Sequence, residues 1–494
     1  MFGDVYLGAA PTRGLPDPGR SLGRSISIAV FAAVLLASAG TVYVGAGATR
    51  SWYPSRWDKQ VAPIAAEVAR LRGLDFVHPV AIHYLTPAAF ERQLGGDNAS
   101  SEVRAEVERE AAEFRALGFI GGKVDLLQAF GTSQSSGTLA YYDEDKREIF
   151  VRGTTLDVAH RVTLAHELTH VLQDQHFNLT KLHIQAAQSD TGDPAAFKAL
   201  VEGDAVRIQQ AYLKQLSKAD QQAYAREDDA EGARVKKETT SVPDIVDLLG
   251  SAPYLFGKST VAVLNATHGN QGVDDALTGP TPSSSVFVEG GLVEPSVAVA
   301  PPLPPADATQ VGRPEPFGAF EMFITLAMRL DPARALLAAD VVGGGKALAF
   351  RSGGVTCYRV VVDPTAEHSR PFLEAAVRDW AQGRSRTSVD AAGDLVGFTV
   401  CDPGTSARGP SEPRFQSAVE LLSIRMDLTA EVASDMSGDV ARCVARVFIA
   451  APGAEKLVLD IGNKEPTTAQ AAVLHRIGAA SAGACRADPD SGLP

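Results

Sequence analysis

The period of the apolar positions changes several times along the chain, and each change predicts an element. Residues 1–24 are rich in Gly, Pro and Arg and read as an unstructured tail. Ile26–Ala48 then runs 23 positions without a charge, enough to cross a bilayer as a helix. Trp52, Tyr53 and Trp57 follow it, where amphipathic rings favour the membrane interface. Val61, Ile64, Ala65, Val68 and Leu71 line one face of a helix over Trp57–Leu74. Phe76–Leu85 reads as a strand with Pro79 at an edge or bend. Asn98-Ala99-Ser100 opens a charged helix to about Leu117. Leu139–Tyr142 and Glu148–Arg152 flank Asp143–Lys146 as a hairpin. Val158, Val162, Ala165, Leu168, Val171 and Leu172 recur at helical spacing, with Asp157 or Thr155 as N-cap. Asp193-Pro194 opens a second helix that runs past Tyr212.

Beyond these, 218–240 is highly charged, as surface helix or loop, and Leu264–Gly290 is turn-rich. Residues 293–316 are Pro-rich, which favours an extended linker or strap. Phe317–Leu337 predicts a helix. After it, β-like runs (Ala347–Phe350, Cys357–Val362, Leu395–Val400, Val444–Ile449) alternate with helices (Pro371–Ala381, Gln416–Met426). The expected class is α+β. The expected organisation is a tail (1–24), a membrane span (25–48), a first domain (49–292), the Pro-rich segment (293–316) and an α+β domain (317–494).

Length and charge refine this picture. The 494 residues have room for two or three domains. A formal net charge of -13, with scattered Lys and Arg, offers nucleic acid no basic patch. Arg13, Arg20 and Arg24 precede the apolar span, which fits an uncleaved anchor with a cytoplasmic N-terminus. A cleaved signal ending at Ala37-Ser38-Ala39 is the competing reading. Either one exports the bulk of the chain. The four cysteines, Cys357, Cys401, Cys443 and Cys485, form no CxxC pair. In an exported domain they predict two disulfides, 357–401 and 443–485 by sequence neighbourhood.

The chemistry concentrates in Thr163–His176, TLAHELTHVLQDQH. His166 and His170, four apart, lie on one helix face, so both imidazoles reach one Zn²⁺. Glu167, beside the first of them, is placed to take a proton from a metal-activated water. A polar helix stripe is the plain alternative. The third ligand has two candidates. Glu202, in LVEGD on the next helix, leaves 32 positions for an antiparallel return. His176 completes the histidines of HExxHxxGxxH, but Gln173 stands where that motif has the glycine that breaks the helix. Asp174 is expected to steady His170, and Asp204 to steady His166. His160 and His183, with His176, are expected to pack or face solvent.

At these residues the chain resembles the gluzincin zinc metallopeptidases, and more narrowly a poorly characterised group of exported or membrane-anchored bacterial zincin-like proteins. HELTHVLQDQHFNL followed by ALVEGDA carries the likeness, with LAYYDEDKREIFVRG before the site and PYLFGKSTVAVL after it. It spans about Phe76 to Gly290. The resemblance implies a zincin-like domain: a small twisted sheet, an active-site helix, a glutamate helix, and Glu148–Arg152 as an edge strand for an extended peptide. The chain departs from that pattern at Val206, where gluzincins carry an aspartate. Tyr254 and Arg207 are candidate oxyanion stabilisers. The resulting expectation is a membrane-anchored, extracytoplasmic zinc metallopeptidase with one Zn²⁺ on His166, His170 and Glu202, Glu167 as general base, and a peptide or protein substrate. A non-catalytic envelope binding protein and a zinc hydrolase of non-peptide bonds are the rivals.

Overall fold

The structure, a computed structural model, describes residues 53–94, 101–291, 296–410, 412–462 and 464–493. The apolar span at Ile26–Ala48 and the helix start at Asn98–Ser100 lie outside the described residues. Among the described residues no helix is long and apolar enough to cross a membrane. The chain is α+β, mostly helical with two small sheets.

Helix α1 (Ala62–Arg72) has Pro63 in its first turn and ends at Gly73, whose φ of 73° suits the left-handed closing turn. Strand β1 (Ile82–Leu85) is shorter than the predicted strand, since Pro79 has no N–H for a ladder. Helices α2 (Pro87–Leu94), α3 (Ser101–Leu117) and α4 (Leu126–Ser136) intervene before the hairpin of β2 (Ala140–Asp143) and β3 (Glu148–Arg152). β3 pairs in parallel with β1 and antiparallel with β2. Glu148–Arg152 is therefore the central strand and not the edge strand expected above. The chain returns β1 from before the hairpin to cover the far side of β3. The edge next to the motif helix is β2.

That helix, α5 (Val158–Phe177), opens on Asp157, whose side chain accepts from the His160 N–H. Val158, Val162, Ala165 and Leu168 pack with Ile64 and Val68 of α1 and with Ile149 and Val151 of β3 in one core. Phe90, Tyr141 and Phe150 cover the opposite sheet face. After α6 (Leu179–Ala187), α7 (Pro194–Gln215) lies against α5, and its cap Asp193 accepts from Ala195 N at 2.7 Å. The charged stretch is helix α8 (Lys218–Glu238).

The region read as turn-rich is largely helix. α9 runs from Asp244 to Thr278 with one break at Gly269, where φ is 62° and ψ is −156°. The helix resumes because Val273, Ala276 and Leu277 bury against Leu200 and Val201 of α7. A short α10 (Val286–Glu289) follows. The Pro-rich segment is a strap: its strands β4 (Thr309–Gln310) and β5 (Glu315–Pro316) both pair with β6 (Val342–Ser352). Phe317–Leu337 forms two helices, α11 (Ala319–Ala327) and α12 (Pro332–Asp340), because Asp331-Pro332 starts a new N-terminus.

β6 continues into β7 (Val355–Pro364), then α13 (Arg370–Ala381), β8 (Thr387–Ala392) and β9 (Leu395–Cys401), in sheet order β4-β6-β7-β9-β8. Helices α14 (Glu412–Val432), α15 (Gly438–Ala450), α16 (Ala454–Ile461) and α17 (Thr468–Ala487) close the described chain. Val444–Ile449, expected as β, lies inside α15: the run fills a helix face against α14 and α17. Both predicted disulfides are present, Cys357–Cys401 between β7 and β9 and Cys443–Cys485 between α15 and α17. One core joins α3, α4 and α9 with Phe398, Trp380 and Leu422, so apolar packing runs across the strap.

Candidate metal centre

Three side chains from two helices meet behind the β2 edge. His166 and His170, one turn apart on α5, place their Nε2 atoms 3.0 Å from each other. Glu202 on α7 brings Oε2 to 3.1 Å from His166 Nε2 and 3.3 Å from His170 Nε2. All three residues are buried, and together they form the described group of His, Cys, Asp or Glu side chains able to hold a metal ion. His176 does not join them. Gln173 continues the helix, as its residue type favours, and His176 turns outward to the Asp75 carbonyl, 2.8 Å away.

The histidines are held from behind by amides. His170 Nδ1 lies 2.9 Å from Gln173 Oε1, and His166 Nδ1 lies 3.0 Å from Gln209 Oε1. The two aspartates expected in these roles are engaged elsewhere. Asp174 accepts from the Tyr142 hydroxyl at 2.8 Å and from Leu179 N at 3.1 Å. Asp204 pairs with Arg72 at 2.7 Å and with Arg207 at 2.8 Å. Asp204 faces the α1–α9 side, where Arg72 also pairs with Asp274 and Arg207 reaches Asn270 at 2.9 Å. Arg207 is thus spoken for by this buried network. Asp204 touches the site through one contact, accepting from Gln173 Nε2 at 3.1 Å.

Tyr254 of α9 donates its hydroxyl to Glu202 Oε1 at 2.9 Å and stacks on the His166 ring at 6.0 Å between centroids. Its position follows from the tight α7–α9 crossing at Gly203 and Gly257. Lys198, one turn before Glu202, sets Nζ 3.9 Å from the same oxygen. Glu202 thus turns Oε2 to the imidazoles while Oε1 is occupied by Tyr254 and Lys198. Glu167, buried beside His166, accepts from the Tyr142 backbone N–H at 2.8 Å, which ties the motif helix to the β2 edge.

Electrostatics favour a cation here. Burial works against a charged Glu202, yet the His170 and His166 imidazoles hold its carboxyl well below the usual range. Burial likewise opposes an imidazolium at His170, but Glu202 outweighs it and lifts the group to about 9. An imidazolium at His170 neutralises Glu202, and a divalent ion bound there must displace that proton.

His160 and His183 have ordinary partners. His160 joins Asp157 and the Arg152 carbonyl at the helix start, and His183 lies 3.2 Å from Glu144. Sequence reasoning missed Gln173 and Gln209 as supports. Spacing carried the signal: Gln173 is three residues after His170, and Gln209 is two turns after Glu202. Comparison of the chain with protein-family models, with curated proteins and with solved structures returns no match.

Proposed function

We propose that this chain is a membrane-anchored, extracytoplasmic zinc metallopeptidase with a zincin-like domain of the gluzincin kind. The observation that carries the reading is the convergence of His166 Nε2, His170 Nε2 and Glu202 Oε2 at 3.0–3.3 Å, with Glu167 beside them. Zinc held tetrahedrally by nitrogen and oxygen ligands about 2.0–2.1 Å away separates its ligand atoms by roughly 3.3 Å, so the donors fit with little movement. Two imidazoles and one carboxylate are also the donor set of hydrolytic zinc sites, in which a fourth position stays open. Bound there, zinc would supply a Lewis acid for a scissile carbonyl and a lowered pKa for water, to about 7.

Glu167 is the general base in this reading. Its Oε2 is oriented by Tyr142 N, so the carboxylate is fixed before substrate arrives. It takes a proton from the attacking water and delivers it to the leaving amine nitrogen. The β2 edge supports a peptide substrate. Leu139 O accepts from Arg152 N, so Leu139 and Tyr141 turn their backbone groups to β3, and Ala140 and Tyr142 turn theirs outward, where the Tyr142 N–H is taken by Glu167 and the Ala140 groups remain for a substrate. That edge lies along the motif helix, where an extended chain would add as a further strand.

Export is supported by two disulfides, which persist in oxidising compartments, and anchoring by the uncharged span at 26–48. The test is Glu167→Gln. It should bind zinc as the wild type does and lose at least about a hundredfold of its hydrolysis of an unfolded protein substrate. A Glu167→Gln protein that hydrolyses at the wild-type rate would contradict the assignment.

A further inference from the structure

The supports behind the two histidines differ in kind from the carboxylates that commonly hold zinc-binding imidazoles. Both are neutral amides. Each is itself oriented by a neighbour, and the neighbours are chemically unequal.

Gln173 donates its amide NH₂ to the Val201 carbonyl at 3.0 Å and to Asp204 Oδ2 at 3.1 Å. Both are acceptors only, and Asp204 is an ionised carboxylate clasped by Arg72 and Arg207. Burial opposes that charge, but the two guanidinium groups hold the carboxyl below its usual range. The amide therefore has one orientation, with Oε1 turned to His170. An acceptor at Nδ1 keeps a proton on that nitrogen, so the proton that a metal must displace is the one on Nε2, which faces His166 and Glu202. The fully buried pair Arg72–Asp204 thus reaches the pocket through one amide.

Gln209 turns Oε1 to His166 Nδ1, and the Tyr224 hydroxyl on α8 lies beside its amide. A hydroxyl is both donor and acceptor and rotates to suit its partner. The environment of Gln209 therefore tolerates a carboxylate, whereas that of Gln173 does not.

We infer that Gln173 and Gln209 are positioning residues that fix the tautomers of His170 and His166 while withholding negative charge from them, so that the site holds its metal less tightly than a carboxylate-supported one. Asp204 sets Gln173 and is kept off the histidine by it. The inference rests on the zinc reading of the site. Neither Asp174 nor Asp204, both within a turn of the ligands, reaches an imidazole, since each is held by other partners.

The test is the zinc dissociation constant of the full chain, measured at fixed pH by competition with a chelator. Gln209→Glu should tighten zinc binding about tenfold, since a carboxylate raises imidazole basicity and Tyr224 can turn to donate to it. Gln173→Glu should instead weaken it about tenfold or more, because the new carboxylate meets Asp204 and the Val201 carbonyl with no proton to share. A gain in affinity is a change that damage to the fold does not produce. If Gln209→Glu does not fold, Gln209→Met serves in its place and should loosen zinc about tenfold. Unchanged affinity in Gln209→Glu or Gln209→Met, or equal tightening in both glutamate variants, would overturn the inference. Absence of zinc binding by the wild type would overturn the metal reading instead.

Discussion

Gly203 follows Glu202 and sits where a side chain has no room. A Cβ there would lie 2.2 Å from the Gly257 carbonyl oxygen, and one at Gly257 would lie 2.1 Å from the Ala199 oxygen. The two glycines let α7 and α9 touch backbone to backbone, which brings the Tyr254 hydroxyl onto Glu202. Gly203→Ala should cost about 1–3 kcal/mol, the usual range for forcing atoms into a packed interior. It should also loosen zinc by lifting Tyr254 away. Thermal unfolding and zinc titration on the same protein check both effects. At this scale the candidate group was legible: the two histidines of HExxH and the LVEGD glutamate come together. The supports were not, because residues three and four positions beyond a histidine share its face, and sequence does not say which turns inward. Asp174 is drawn to the Tyr142 hydroxyl and the α6 N-terminus, leaving Gln173 for the imidazole.

At the scale of elements, the cross-link between α15 and α17 closes a separation of 42 residues. By the chain-entropy account, removing it with Cys443→Ser and Cys485→Ser should cost about 4 kcal/mol. Chemical denaturation of the oxidised wild type beside the double variant measures this, and a loss below about 1 kcal/mol would show that the helices hold without it. The same helix shows why apolar runs mislead. Val444–Ile449 is as apolar as a buried strand, and only packing against α14 and α17 decides for helix. Leu264–Gly290 misleads in the other direction: it reads as turn-rich, whereas within α9 only Gly269 leaves helical geometry. The hairpin was legible from its alternation, but β1 as its parallel neighbour was not. Three helices lie between them, and no local pattern encodes that crossover.

Across the molecule, buried carboxyls set the response to pH. Arg109 on α3 faces Glu106, Glu113 and Glu315 of β5, and burial pushes the Glu113 carboxyl up to about 8. Burial also raises Asp193 and Glu289 to about 7 each and Asp247 to about 6. A folded pKa above the unfolded one means that the folded state favours the proton. That contribution is complete below the ordinary carboxyl value and fades as pH rises through 6 to 8. Asp204 and Glu202 act oppositely, with pKa values below the ordinary ones, so their contribution is lost only in stronger acid. The metal-free protein should therefore melt highest near pH ~5 and lower toward pH ~8.5. A melting temperature that rises over that interval would contradict this balance. Zinc affinity should move the other way, strengthening as His170 loses its proton near its raised value of about 9. Sequence reading anticipated the α+β class and an extended linker or strap at 293–316. It did not show that the strap's strands join β6, or that one core runs beneath it, because both depend on pairings far apart in sequence. The central claim is tested most directly by the zinc content of the purified chain, wild type beside Glu202→Ala and His176→Ala. The account predicts one zinc per chain in the wild type and in His176→Ala, and its loss in Glu202→Ala. No zinc in a wild type offered the metal, or zinc retained by Glu202→Ala and lost from His176→Ala, would contradict it.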